Sequence, residues 1–326
     1  MVVRKKKNNL VKGEDMSQFV FGVDIGGTTV KLGLFDVEGN LLDKWEIPTR
    51  KEGNGSHILP DVAESIEKKI VEKDIAKEVI AGVGVGVPGP VDNEGIIHKA
   101  ANLGWGTFSV KDTLEEILKL PVMAGNDANV AALGEMWRGG AKGYDDVVMV
   151  TLGTGVGGGV IVKGKILNGS NGAAGEIGHI CVNENETDVC GCGKRGCLEQ
   201  YSSATGIVRI CKKLLEESKE DSVLRSGEIS AKTIFDAVKA DDEFAKSVAK
   251  VYGSYLGKAL AAISCVVNPE VICIGGGVAK AGQVVIDYVK PTYQEQTFHA
   301  SRDVKFALAE LGNDAGIYGA AKLVLD

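Results

Sequence analysis

The pattern that most constrains this chain is a strand–glycine turn–strand unit that occurs twice. Phe19-Val-Phe-Gly-Val-Asp24 turns at Gly26-Gly27 into Thr29-Val-Lys-Leu-Gly-Leu-Phe35. Val147-Val-Met-Val-Thr-Leu152 turns at Gly153-Thr-Gly155 into Gly157-Gly-Gly-Val-Ile-Val162. Gly26 and Gly153 stand 127 positions apart in a chain of 326 residues, long enough for two packed domains. The repeat predicts two α/β domains of related plan, each opening on a glycine hairpin. In the first, a third strand follows the turn at Glu38-Gly39-Asn40 and runs to Pro48. A helix over about 57–73 carries Ile58, Val62, Ile66 and Ile70 at a spacing of four, and a buried strand spans Val79–Val87. In the second, the pattern is helical between 205 and 265. The strand Val271–Ile274 then enters Gly275-Gly276-Gly277 and a helix, and a last helix from Gly316 to Leu325 is expected to cross back onto the first domain.

Composition narrows the class of function. The 44 glycines are roughly twice the usual share of about 7%, and they cluster at 82–95, 153–159 and 275–277, where backbone must approach a ligand closely. A net charge of −7 argues against broad nucleic-acid binding. No apolar run approaches the roughly 18 residues of a membrane span, so no membrane partner is expected. Seven cysteines, an odd count without a secretory leader, predict reduced thiols, metal ligation and a cytoplasmic location. Residues 1–17 read as a disordered basic tail, in which Met16 is an alternative start.

The glycine turns carry the first chemistry. Asp24-Ile-Gly26-Gly27-Thr28-Thr29 offers backbone N–H groups and hydroxyls that can cradle phosphate oxygens. Gly153-Thr154-Gly155 offers the same on the second domain. A dinucleotide fingerprint must open a helix, whereas Val160-Ile-Val162 continues as a strand, and no Walker A sequence is present. Two facing phosphate hairpins fit a nucleoside triphosphate, with Gly275, Gly276 and Gly277 able to admit a flat adenine. Lys31 is assigned to the same nucleotide site, and Asp24 at the end of a buried strand could hold Mg²⁺. The alternative for Asp24 is a turn cap.

A second constellation is Glu176-Ile-Gly-His179 followed by Cys190-Gly-Cys192-Gly-Lys-Arg-Gly-Cys197-Leu-Glu199. Thiolates at C-x-C spacing with a nearby histidine suit tetrahedral zinc. The harder carboxylates of Glu176 and Glu199 are left for another ligand. This predicts a structural zinc loop over about 179–197, ligated by His179, Cys190, Cys192 and Cys197. A cysteine-rich turn without metal, or a disulfide, is the alternative.

With these motifs in place, the chain from about Phe19 onward resembles the ROK family of bacterial repressors, open reading frames and sugar kinases, and within it the ATP-dependent glucokinases. The resemblance implies a two-domain actin-like ATPase (ribonuclease H-like) fold with sugar and ATP bound in the interdomain cleft. The domains would span 18–121 plus 312–326, and 122–311. It implies that Asp127, in Gly125-Asn126-Asp127-Ala-Asn129, is the catalytic base, and that Asn102, Asn126, Asp127, Glu176, His179 and Glu199 bind the sugar. The histidine would ligate zinc through one ring nitrogen and reach the sugar with the other. A homodimer or tetramer is implied as well. The eleven-residue spacing of His179 and Cys190 leaves the loop's conformation open.

The residues agree with this reading. Phosphoryl transfer to a hydroxyl needs a base, in-line geometry and charge neutralisation. Asp127 follows the strand Pro121-Val-Met-Ala and begins an apolar-periodic helix, so its plainer role is a helix N-cap. The expected reaction is ATP-dependent phosphorylation of a hexose, D-glucose to glucose 6-phosphate, making the chain an ATP:hexose phosphotransferase. A kinase for N-acetylmannosamine, fructose or allose is a second reading. A sugar-responsive repressor is a third, disfavoured because about 17 residues before the first strand are too few for a helix-turn-helix domain. His57, His98 and His299 read as surface or loop residues.

Overall fold

The computed structural model describes residues 18–326; the tail expected over 1–17 lies outside them. The opening hairpin forms where alternating burial and the glycine turn require it. β1 (Phe19–Ile25) pairs antiparallel with β2 (Thr29–Asp36), and β2 with β3 (Leu41–Pro48). A single turn, α1 (Glu52–Gly55), leads into α2 (Ile58–Glu72), whose Ile58, Val62, Ile66 and Ile70 are all buried. β4 (Ile80–Val87) returns parallel to β1. A small ribbon, β5 (Ile96–Ile97) with β6 (Phe108–Ser109), precedes α3 (Val110–Leu118).

β7 (Val122–Asn126) then adds parallel to β4 and completes a five-stranded sheet of order β3-β2-β1-β4-β7. The first sheet therefore runs past the expected boundary at 121/122. Its last strand hydrogen-bonds back to β4, pairing Val83 with Val122 and Val87 with Asn126.

The second half repeats the plan. After α4 (Asp127–Arg138), β8 (Val147–Leu152) and β9 (Val156–Val162) form the second hairpin, and β10 (Lys165–Ile166) adds antiparallel to β9. The helical stretch is α5 (Glu199–Ser202), α6 (Ala204–Glu217), α7 (Ala231–Lys239) and α8 (Glu243–Val267). β11 (Val271–Gly275), α9 (Gln283–Gln296) and β12 (Lys305–Leu308) follow, giving the order β10-β9-β8-β11-β12. In both sheets the first strand has an antiparallel meander on one side and two parallel strands on the other. This is the actin-like ATPase fold, as expected. No helix among the described residues is long and apolar enough to cross a membrane.

Two helices join the halves. Ala132 and Leu133 of α4 bury against Val147, Met149 and Ile161 of the second sheet. The final helix, α10 (Ala315–Leu325), crosses back as expected, burying Ile317 and Ala321 against Val20 and Phe35 of the first. The two helices meet backbone to backbone. A methyl group at Gly319 would lie 1.6 Å from the Val130 carbonyl oxygen, and one at Gly134 would lie 2.2 Å from that of Ala315. Any side chain at either position would force the helices apart. The buried Glu135 reinforces the crossing. Its carboxylate accepts from the backbone N–H groups of Gly140, Glu310 and Leu311, each at 2.9 Å. It thereby ties the end of α4 to the segment that enters α10.

Candidate active site

The crossing aims the N-termini of α4 and α10 at one cavity of about 290 Å³. Asp24, Lys31, Asp127, Thr151, Asn313 and Gly316 are among its lining residues. Helix N-termini carry unpaired N–H groups and partial positive charge, so the cavity suits an anion such as phosphate. Asp24 sits at the end of β1, paired in register with Lys31, whose ammonium donates to the Asn313 carbonyl at 2.9 Å. The Asp24 carboxylate packs on the first turn of α10, where a methyl at Gly316 would lie 2.6 Å from its Oδ2.

A second cavity of about 240 Å³ lies on the other side of Asp127, bounded by Pro88, Gly89, Asn126, Gly158, Gly175 and Glu176. Asp127 and Ala128 line both cavities. A ligand in each would meet at one carboxylate, the arrangement needed to pass a group between them.

The helix cap is made by Asn126 and not by Asp127. Asn126 Oδ1 accepts from Ala128 N at 3.0 Å and Asn129 N at 3.1 Å, and its Nδ2 donates to the Gly89 carbonyl at 3.1 Å. One Asn126 N–H thus remains for a ligand. Asp127 Oδ1 accepts from Ala128 N at 2.8 Å, which leaves Oδ2 for other chemistry. Asn129 is buried, and its Oδ1 has no hydrogen-bond partner among the described residues; it faces Gly175 in the wall of the second cavity.

Burial raises the proton affinity of both aspartates, and neighbouring carboxylates add to it. Burial, then the Asp127 charge, pushes Asp24 up to about 6, with Lys31 opposing. Burial also raises Asp127 above the usual carboxylate range; the Ala128 N–H opposes the shift and Glu176 adds to it. Two half-buried aspartates with one lysine are short of positive charge, and a divalent cation would supply it.

Beyond the second cavity stands the cysteine cluster. His179, at the end of a 3₁₀ turn over Ile177–His179, and Cys190, Cys192 and Cys197 bring four ligand atoms within 4.8 Å of one another. Cys192 Sγ and Cys197 Sγ are 3.6 Å apart, and Cys190 Sγ is 3.8 Å from His179 Nδ1. Both match the roughly 3.8 Å edge of a tetrahedron with metal–sulfur bonds of about 2.3 Å. Three sulfurs and a nitrogen could therefore hold a metal ion, with Nε2 of His179 left free. Burial pushes the Cys190 thiol up to about 12, so metal binding must displace protons.

Glu199 joins this cluster to the second glycine hairpin. Its Oε1 accepts from Cys190 Sγ at 2.9 Å, and a methyl at Gly155 would lie 2.6 Å from its Oε2. The hairpin is also tied to α6, because Gly153 O accepts from Ala204 N and Thr154 O from Thr205 Oγ1, each at 2.8 Å. Gly276, at φ +85°, lies against Leu152, where a methyl would meet the Leu152 backbone at 2.6 Å. Gly275, Gly276 and Gly277 therefore border Gly153-Thr154-Gly155 on one sheet.

Not every expected residue gathers. Gly26, Gly27, Thr28 and Thr29 form a hairpin closed by Gly26 N to Thr29 O at 3.0 Å, with Thr28 exposed, and they line neither cavity. Asn102 is exposed on a turn and lines neither. His57 and His299 are exposed as expected, and His98 Nε2 meets Asp92 at 3.1 Å. The sequence reading missed Glu135 and Asn313, whose partners lie far along the chain.

The comparisons with known proteins agree with this geometry. The model of the ROK family matches residues 20–326. A glucokinase of Halalkalibacterium halodurans is 45% identical over 309 residues, covering 93% of this chain and 94% of the relative. The crystal structure of a ROK hexokinase from Thermus thermophilus superposes with a TM-score of 0.77 at 31% identity, over 94% of this chain and 97% of that one. A ROK family glucokinase from Streptomyces griseus, in complex with glucose and AMPPNP, gives 0.70 at 32% identity over 94% and 98%.

Because folding raises the Asp24 pKa from 3.8 to about 6, the folded state holds that proton more tightly than the unfolded one. The Asp24 contribution to stability is therefore fullest below pH 4 and is lost as pH rises through 6. Asp24→Asn should stabilise the ligand-free protein at pH 7.5 by on the order of 3 kcal/mol, since each tenfold change in proton affinity is worth about 1.4 kcal/mol. The gain should close toward pH 4. Urea denaturation at both pH values checks this, and equal stability at pH 7.5 contradicts it.

Proposed function

The chain belongs to the ROK family, and on that premise we propose the roles of its residues in the reaction. The protein is an ATP-dependent hexose kinase that phosphorylates D-glucose to glucose 6-phosphate. In our reading the 6-hydroxyl attacks the γ-phosphorus while Asp127 takes its proton. The observation that carries this role is that Asp127 lines both the anion cavity and the neighbouring cavity.

Charge that builds on the transferring phosphoryl oxygens meets the N-termini of α4 and α10, Lys31 and Thr151. Such preorganised donors are most effective in a site shielded from water. Mg²⁺ bound with ATP supplies further positive charge, and Asp24 is the residue that would hold it. Gly153, Thr154 and Gly155, with Gly26, Gly27, Thr28 and Thr29 opposite, would receive the phosphate chain, and Gly275, Gly276 and Gly277 the adenine. The sugar would lie against Asn126, Glu176 and the free Nε2 of His179, with Asn102 and Glu199 at its margins. The raised Asp127 pKa suits a base, since a group of higher proton affinity draws the hydroxyl proton more strongly.

We assign the lobes to residues 18–126 with 315–326, and to 127–314, because β7 belongs to the first sheet. Zinc at His179, Cys190, Cys192 and Cys197 supplies rigidity and takes no part in the chemistry. The unpaired cysteines suit a reducing compartment such as the cytoplasm.

Asp127→Asn should keep glucose affinity within a few-fold while kcat falls roughly 10²–10⁴-fold, the usual worth of a general base. Calorimetry and a coupled ADP-release assay read the two quantities, and near-normal turnover removes the assignment. Chelation of zinc should weaken glucose binding about tenfold more than AMPPNP binding, because the metal fixes His179 directly and reaches the phosphate hairpin only through Glu199. Equal loss of both would reduce the cluster to a folding staple.

A further inference from the structure

Of the cysteines between 179 and 197, Cys181 alone stands outside the metal-ligand cluster. It faces Cys197 across an isolated antiparallel bridge. The bonds that flank the pair are Val182 N to Gly196 O at 2.7 Å and Leu198 N to Ile180 O at 2.8 Å. Cys181 and Cys197 are therefore the non-hydrogen-bonded pair of this ladder. Such residues hold their Cα atoms about 4.5 Å apart with both side chains on one face, and disulfides span Cα separations of roughly 4.4–6.8 Å. Cys181 Sγ lies against Gly196, the residue before Cys197, where a methyl would sit 3.2 Å from it. Cys181 is exposed, whereas Cys197 is wholly buried.

We propose that Cys181 and Cys197 are a redox pair, which a hydroperoxide converts to a cross-strand disulfide that withdraws Cys197 from the metal and releases the ion. The inference rests on the reading of the cluster as a metal site. The Cys181 thiolate attacks a peroxide oxygen, so that an S–O bond forms, the O–O bond breaks and one water leaves. The Cys197 sulfur then attacks the resulting sulfenic acid; the S–S bond forms, the S–O bond breaks and a second water leaves. The two sulfurs give up two electrons; metal-bound Cys197 carries no proton, so one proton from Cys181 and one from solvent complete the two waters formed from hydrogen peroxide.

Cys192 Sγ is also near Cys197 Sγ, at 3.6 Å. Cys192 and Cys197 are both ligands, however, so neither is the thiol that first meets the oxidant, and Cys197 is the one that stands opposite Cys181. Cys181 is exposed and unligated, so it meets the oxidant first. Loss of Cys197 would loosen Leu198 and Glu199, which follow it directly, and so reach the Gly155 hairpin. Kinase activity would then fall under oxidation and return with a thiol reductant and zinc.

The full-length protein, its zinc content measured by elemental analysis, is treated with hydrogen peroxide. A chromogenic chelator follows zinc release, and mass spectrometry of proteolytic peptides maps the disulfide. The wild type should release its zinc and yield a Cys181–Cys197 linkage reversed by dithiothreitol. Cys181→Ser and Cys181→Ala should bind zinc normally and release it about tenfold more slowly or less. Cys265→Ser, which removes another exposed thiol, should match the wild type. Release from both Cys181 variants at the wild-type rate, or a disulfide joining Cys192 to Cys197, would overturn the redox pair. A chain that binds no zinc would overturn the metal reading and the release with it, an outcome the elemental analysis distinguishes.

Discussion

Two half-buried carboxylates, Asp24 and Asp127, are held beside the N-termini of two helices that touch backbone to backbone at Gly134 and Gly319. Much of the site follows from that contact. Because no side chain separates α4 from α10, their first turns open onto one cavity, and the carboxylates at their starts are fixed relative to each other. Each helix is buried against a different sheet, so the crossing is also the joint between the halves. Glu135 locks the far end of α4 to the chain entering α10 through the backbone N–H groups of Glu310 and Leu311. The acids sit uncomfortably without a ligand, as the raised proton affinity of both shows. Burial chiefly, and neighbouring charge after it, makes these carboxylates costly to ionise, a cost that a bound cation would offset.

The second dependence runs through Glu199. One carboxylate oxygen meets the Cys190 sulfur and the other leans on Gly155. The cysteine loop and the second glycine hairpin, far apart in sequence, are thereby in direct communication. His179 belongs to the same cluster, with its Nδ1 facing Cys190 and its backbone in the short turn that follows Glu176, the residue proposed to meet the sugar. A metal in the cluster would set the position of both residues at once.

Local chemistry wrote much of this into the sequence. Alternating apolar residues broken by Gly26-Gly27 and Gly153-Thr-Gly155 are enough to specify two hairpins, and both sheets grow from them. The C-x-C spacing with His179 upstream specifies a four-atom cluster whatever the surrounding fold. Adjacent residues with the same capping chemistry were harder to separate: Asn126 and Asp127 could each have capped α4, and only the strand preceding them decides which does. Non-local pairing was illegible. Nothing near Val122 says that it bonds to β4, and Glu135 finds two of its partners 175 and 176 positions away. Glu199 was expected at the sugar, and nothing in its sequence surroundings says that it leans on the Gly155 hairpin.

The claim on which the proposed chemistry turns is that Asp127 is the wall common to the sugar and phosphate cavities. The most direct measurement is a crystal structure of the complex with glucose and a non-hydrolysable ATP analogue. The Asp127 carboxylate is expected within about 2.6–3.2 Å of the sugar 6-hydroxyl, with the γ-phosphorus in line beyond it. A 6-hydroxyl held by another residue, with Asp127 turned only toward the phosphates, would contradict it.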